Sequence, residues 1–321
     1  MVVALGGHAI VPRGAAGTAD EQVATIGRAM AEVAALVAEG ADVVVTHGNG
    51  PQVGNLLTKN VLARHVVPAM PLHWCVAQTQ ATIGVAMLTA LEAELGALGI
   101  ERAVVPVLSR VLVRADDPAW RNPTKPIGRT FSADEAAAAM ADDPTQVWRD
   151  TSASGGRGWR RIVPSPEPVR SLEAATVEML LQAGAVVIAN GGGGIPVVED
   201  EAGRLVGVDA VIDKDLAAAV LAMEVGADRL VILTDVDGVA VDFGGPHEKW
   251  LDRVDVRELR KLAARGTFGI GSMAPKVEAA ARFVEATGHP ATIGPLARAH
   301  DALHGHCGTR VTSALPVGAA R

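Results

Sequence analysis

Lysine is scarce in this chain, occurring only at positions 59, 125, 214, 249, 261 and 276, while arginine carries most of the positive charge. A lysine ammonium is a compact charge on a flexible stem, better suited than a planar guanidinium to following a phosphoryl group as it moves. Lys214 lies in "GVDAVIDKDLAAAVLA" (207–222), at the predicted start of a helix and among Asp209, Asp213 and Asp215. The aspartates complement the helix dipole there, but a cation is unfavourable unless an anion offsets it. Lys276 in "GSMAPKVEAA" (271–280) repeats the arrangement directly after Pro275. Lys125 stands between two prolines in "NPTKPIG" (122–128), a stiff support for a positive tip. These three point to phosphoryl chemistry. Lys59, Lys249 and Lys261 read as solvated surface charge.

Glycine-rich loops supply a second set of groups. In "LGGHAI" (5–10), Gly6 and Gly7 clear side chains from the backbone, and His8 follows as a donor or a cation. In "THGNGPQVGN" (46–55), Gly48 and Gly50 expose backbone donors, Asn49 and Gln52 add side-chain donors, and Pro51 stiffens the entry to a helix. "NGGGGIP" and "TDVDG" complete the group. Turn chemistry explains any one of these loops; four of them at strand ends suit an anion. Neither G-x-G-x-x-G nor a P-loop lysine is present. The histidines show no H-x-x-x-H spacing backed by a carboxylate, and "HGHC" (304–307) reads as a turn, so no metal ligand is expected.

The elements that must position these groups alternate. Apolar runs at 2–5, 42–47, 102–108, 185–190, 229–235 and 290–294 read as strands. Stretches 20–39, 75–97, 171–183, 213–225, 255–264 and 275–287 have helical periodicity. This alternation predicts an α/β fold, a mostly parallel sheet covered on both faces, with ligands beyond the carboxyl ends of its strands. Residues 115–166 break the pattern. They are rich in Pro, Gly and Arg and hold Trp120, Trp148 and Trp159, which predicts an inserted lobe or lid with its own small core. The remainder of the 321 residues reads as a single domain.

A net charge of −7 argues against broad nucleic-acid binding, so an anion site must be local. Cys75 and Cys307 are too few for a disulfide framework and fit a reducing cytoplasm. The chain enters an apolar strand at Val2 without a basic leader, and no apolar run approaches the roughly 18 residues that span a bilayer, so neither export nor membrane insertion is expected.

Taken in order, "THGNGPQVGNLL", "NPTKPIG", "WRRIVPSP", "GGGGIPV", "AVIDKDLA", "LTDVDGV" and "GSMAPKVEAA" resemble segments of the carbamate kinase group of the amino-acid kinase family. The resemblance covers essentially the whole chain. It implies a three-layer αβα sandwich with a protruding subdomain, a homodimer, and reversible phosphoryl transfer between Mg²⁺-bound ATP and carbamate to give carbamoyl phosphate and ADP. It further implies that Lys214 bridges the transferring group, Lys276 holds nucleotide phosphate, Lys125 reaches in from the lobe, and Asp209 and Asp215 orient lysines. Gly6, Gly7, His8, Gly48, Asn49 and Gly50 would face carbamate. Gly192, Gly193, Thr234, Asp235 and Met273 would line the ATP/ADP site. The family pattern departs at His8, His73, "QTQA" (78–81) and "FGIGSM" (268–273). The first three departures leave open another small carboxylate or carbamate-like acceptor. A non-catalytic sensor of nucleotide or carbamoyl phosphate is the other alternative.

Overall fold

The structure is a computed structural model that describes residues 1–7, 10–11, 17–152, 158–269 and 273–313. Eight strands form its central sheet, in the order Arg253–Asp255, Thr309–Thr312, Ala291–Pro295, Leu230–Thr234, Val2–Leu5, Val44–His47, Val186–Ile188 and Val104–Pro106. All neighbours are parallel except Ala291–Pro295 against Thr309–Thr312. Side chains alternate across the sheet. Val3 and Leu5 therefore pack toward helices Ala19–Ala38 and Leu72–Ala97, while Val2 and Ala4 pack toward Lys214–Glu224 and Met273–Thr287. The result is the αβα layering that the strand–helix alternation predicts.

Local chemistry sets the helix starts. Thr18 and Glu21 form a reciprocal capping box on Ala19–Ala38. Asp213 caps Lys214–Glu224, and Pro51 enters Gly50–Ala63 in its first turn. Helix Leu72–Ala97 is long and apolar enough to cross a membrane by length and composition, with mean hydropathy 1.2. The bare sequence reads as having no apolar run of that length. Here Cys75, Val76, Ile83, Met87, Leu91 and Leu95 are buried in the core.

Smaller sheets surround this body. Leu205–Gly207, Ile195–Glu199, Arg110–Val113 and Pro168–Ser171 form a mixed four-stranded sheet. Lys125–Phe131, Trp159–Val163 and Val147–Asp150 form a three-stranded antiparallel sheet, with helix Ala133–Asp142 beside it. Phe131 and Trp148 meet edge to face at 4.8 Å, and Arg129 lies 3.7 Å from the Phe131 ring centroid. Trp120 instead packs on Val111, Val113 and Ile212, outside that sheet. The root of the three-stranded sheet is sewn to the main body. Ile127 and Val163 share a cluster with Val53, Leu57, Leu72, Cys75 and Val76, and a Cβ on Gly54 would lie 1.8 Å from the Gly128 Cα.

Candidate functional site

Strands Leu230–Thr234, Val2–Leu5, Val44–His47 and Val186–Ile188 are consecutive and parallel, so their carboxyl ends lie on one edge. The loops that follow them are 234–238, 5–7, 46–50 and 190–194. Beside these loops the two alanine-rich helices Lys214–Glu224 and Met273–Thr287 pack closely, sharing a buried cluster that holds Ala218, Ala219, Ala222, Ala279, Ala280 and Ala281. Small side chains permit that approach, which brings Lys214 and Lys276, both in first turns, to one carboxylate.

Asp215 is that carboxylate. Its Oδ1 accepts from Lys214 Nζ and its Oδ2 from Lys276 Nζ at 3.0 Å. Asp215 and Lys276 are buried. Burial pushes the Lys214 ammonium below its ordinary pKa, an effect opposed by Asp215 and reinforced by the charge of Lys276. Asp213 divides its oxygens in the same way. Oδ1 caps the helix, accepting from Asp215 N at 3.0 Å and Leu216 N at 3.4 Å, while Oδ2 accepts from Lys125 Nζ at 2.7 Å. Burial alone would raise the Asp213 pKa, but the charges of Lys125 and Lys214 and the hydrogen bonds hold it well below the usual carboxylate range. Three ammoniums therefore meet two carboxylates. The excess charge is positive, which is what an incoming phosphoryl group needs.

The glycine loops close on the same lysine. A Cβ on Gly48 would lie 3.2 Å from Lys214 Cδ and 3.5 Å from Gly7 Cα, so the second loop lies against both the lysine stem and the first loop. Among the described residues, a Cβ on Gly7 or Gly50 would meet nothing within 4 Å. Gly6 N donates to Leu233 O at 2.9 Å, tying the first loop to the strand that carries Thr234. Thr234 Oγ1 donates to Asp235 Oδ1 at 3.3 Å.

The loop after Val186–Ile188 forms the floor. Asn190 has φ +50° and Gly192 φ +68°, a left-handed path that Gly192 adopts without strain. A Cβ on Gly192 would stand 2.2 Å from Asn49 Nδ2, and one on Gly193 2.6 Å from Ile212 O. Asn49 Nδ2 also donates to Thr79 Oγ1 at 2.8 Å. Gln80 Nε2 donates to Ser109 O at 3.0 Å and Gly191 O at 2.9 Å, and its Oε1 accepts from Ser109 N at 2.9 Å. The buried His47 ring lies over Gly191, with Nδ1 2.9 Å from Gly48 O. A carbonyl oxygen only accepts, so Nδ1 carries the proton. Burial, with a smaller contribution from the Lys214 charge, lowers the His47 pKa to about 4.

The structure thus brings together Lys125, Lys214, Lys276 and Asp215 with Gly7, Gly48 and Asn49. Asp209 is not at a lysine: its carboxylate accepts from His73 Nδ1 at 3.0 Å and His73 N at 3.3 Å. The aspartate on Lys125 is Asp213, which the helix dipole alone explained in the sequence. His73 also lies on Gly207, where a Cβ would stand 2.3 Å from the ring, so it joins the start of Leu72–Ala97 to the mixed sheet. Asn49, Gly192 and Gly193 lock loops to one another, and Thr79 and Gln80 of "QTQA" belong to that network. His47 carried no signal beyond its place at a strand end. His8 lies outside the described residues. An open cleft of about 170 Å³ adjoins the site between Gln22, Gln52, Asn55 and Arg129, and the lysines do not line it.

Comparison with known proteins agrees with this geometry. Residues 1–295 match the amino acid kinase family. The chain is 46% identical over 314 residues to a carbamate kinase of Pyrococcus horikoshii, covering 97% of this chain and 98% of that one. A carbamate kinase of Trichomonas vaginalis is 43% identical over 313 residues, again covering 97% and 98%. The solved carbamate kinase from Giardia lamblia bound to AMP-PNP superposes with TM-score 0.88 at 40% identity, covering 97% of each chain, and the same enzyme bound to citric acid reaches 0.91 at 39%. The chain belongs to the amino acid kinase family. Within that family its likeness is to the carbamate kinases.

Proposed function

We infer that the chain is a carbamate kinase, transferring a phosphoryl group between ATP and carbamate. The observation that carries this reading is the division of Asp215 between Lys214 and Lys276, with Gly48 lying against both the Lys214 stem and the Gly7 loop. Carbamate is already an oxygen anion and needs no general base. The groups gathered here suit that, since Asp213 and Asp215 are engaged by ammoniums and His47 keeps its proton on Nδ1. What remains is to bring two anions together and hold them in line, by positioning and charge neutralisation.

In this mechanism a carbamate oxygen is held at Gly6, Gly7, His8, Gly48, Asn49 and Gly50 and attacks the γ-phosphorus. Its oxygen–phosphorus bond forms as the bond from phosphorus to the β–γ bridging oxygen breaks, and ADP leaves with the electron pair. Lys214, between the glycine loops and Lys276, follows the moving phosphoryl group. Lys276 holds the nucleotide phosphates, with Thr234, Asp235, Met273, Gly192 and Gly193 on that side. Lys125 approaches from the three-stranded sheet, which acts as the lobe over the site. Mg²⁺ carried in on the nucleotide would neutralise phosphate charge.

The AMP-PNP bound to the Giardia lamblia enzyme supports nucleotide binding by this chain. A homodimer fits the exposed apolar residues Leu62, Val66, Val67 and Trp74 along one stretch, and the unpaired Cys75 and Cys307 suit a reducing cytoplasm. Purified protein given carbamoyl phosphate and Mg²⁺-ADP is expected to form ATP, read by luminescence. Nucleotide binding by calorimetry without ATP formation would overturn the kinase reading in favour of a sensor.

A further inference from the structure

Helix Ala19–Ala38 ends at Glu39, and helix Ala299–His304 lies beside it. His300 Nε2 is 2.5 Å from Glu39 Oε1, and His304 Nε2 is 3.0 Å from Glu39 Oε2. The three ligand atoms all fall within 4.8 Å of one another. We propose that Glu39, His300 and His304 form a binding site for a divalent transition-metal ion of the Zn²⁺ class.

Two imidazoles and one carboxylate are a donor set that suits Zn²⁺ and its neighbours and suits Mg²⁺ or Ca²⁺ poorly. His300 and His304 are one helical turn apart, so their rings share a face, with centroids 4.6 Å apart. Tetrahedral zinc ligands at about 2.0–2.2 Å from the ion lie about 3.4 Å from one another, and small rotations of these side chains reach that spacing. Three protein ligands leave a fourth position for water.

The site is also held in place. Glu32 precedes Glu39 by seven residues, two helical turns, and so lies on the same face of its helix. Glu32 Oε2 accepts from Ala299 N at 3.0 Å and from His300 N at 3.5 Å, fixing the start of the histidine helix. Asp301 Oδ1 stands 3.9 Å behind His300 Nδ1, where an outer carboxylate orients a ligating imidazole, and Asp301 is itself paired with Arg298. His306 lies 4.0 Å from Asp301 by its Nδ1, beside the site. The proposed site departs from the expectation of no metal ligand. The H-x-x-x-H spacing is present, and its carboxylate comes from the other end of the sequence. Glu39 precedes strand Val44–His47, at the edge of the sheet opposite the lysines, so the site is separate from the phosphoryl chemistry.

The test is calorimetric titration of the tag-free, chelator-treated full chain with ZnCl₂, with MgCl₂ and CaCl₂ as controls. One Zn²⁺ per chain and no response to the controls are expected. Glu39→Gln should weaken binding by at least about tenfold, and the double variant His300→Ala/His304→Ala should abolish it. Both variants should keep the parent's rate of ATP formation, which also shows that they fold. Absence of Zn²⁺ uptake by the parent, or uptake unchanged in the double variant, overturns the proposal.

Discussion

Lys214 and Lys276 are held differently from Lys125. The first two share one buried aspartate inside the main body, with side chains 13% and 10% exposed; Lys125 is 30% exposed and meets another aspartate from a separate small sheet. The buried pair is positioned by two helices packed across the central sheet, so moving either lysine means repacking the core. Lys125 depends on the joint where Gly54 of one helix meets Gly128 of the lobe strand. Charges that must be present throughout the reaction belong on the rigid body. Lys125 stands instead on a small sheet whose root packs on Val53, Leu57, Leu72, Cys75 and Val76 through Ile127 and Val163.

This contrast is open to measurement. Lys214→Ala should lower kcat by about 10²–10³-fold, the usual consequence of losing a donor to developing charge, and a rate within threefold of the parent would remove Lys214 from the mechanism. His47 tests the buried side through pH. Its folded pKa of about 4 lies below the ordinary 6.5, so the unfolded chain binds more protons between these values. Stability must therefore fall as pH drops through that window, by about 1.4 kcal/mol per unit and about 3 kcal/mol in all. Urea unfolding at pH 7 and pH 4.5 should show this loss in the parent and a smaller one in His47→Gln. Gly54→Ala attacks the joint, because its methyl would meet backbone rather than a flexible side chain. A cost of about 1–3 kcal/mol and a lowered kcat/KM are expected; parent-like activity would show that the lobe is held elsewhere. Lys125→Ala should cost the least, about tenfold in kcat/KM, in keeping with a charge supplied from a partly exposed position. A loss equal to that of Lys214→Ala would erase the distinction.

Much of the architecture was legible along the chain. Each of the six apolar runs at 2–5, 42–47, 102–108, 185–190, 229–235 and 290–294 holds a strand of the central sheet, since strands buried on both faces read as continuous apolar blocks, although the strand within 102–108 is only Val104–Pro106 at the sheet's edge. Elements that the pattern missed are short or of mixed polarity. Arg110–Val113, Pro168–Ser171 and Leu205–Gly207 are three or four residues long with exposed positions among them, too few to display a period. Within the site, Lys214 and Lys276 stood out because a cation at a helix start conflicts with the dipole. Asp213 did not, since the helix dipole sufficed to explain it, and Asp209 was assigned to a lysine although its partner is His73.

The sequence by itself determined the alternating strands and helices, the glycine loops at strand ends and the identity of the lysines, because each is a local matter of periodicity, backbone freedom or charge. Only the tertiary structure decided which carboxylate holds which lysine, how His47 and Asn49 pack on the glycine floor, and that Glu39 meets His300 and His304. Those are contacts between residues far apart in the chain, and their distances follow from how whole elements pack against one another.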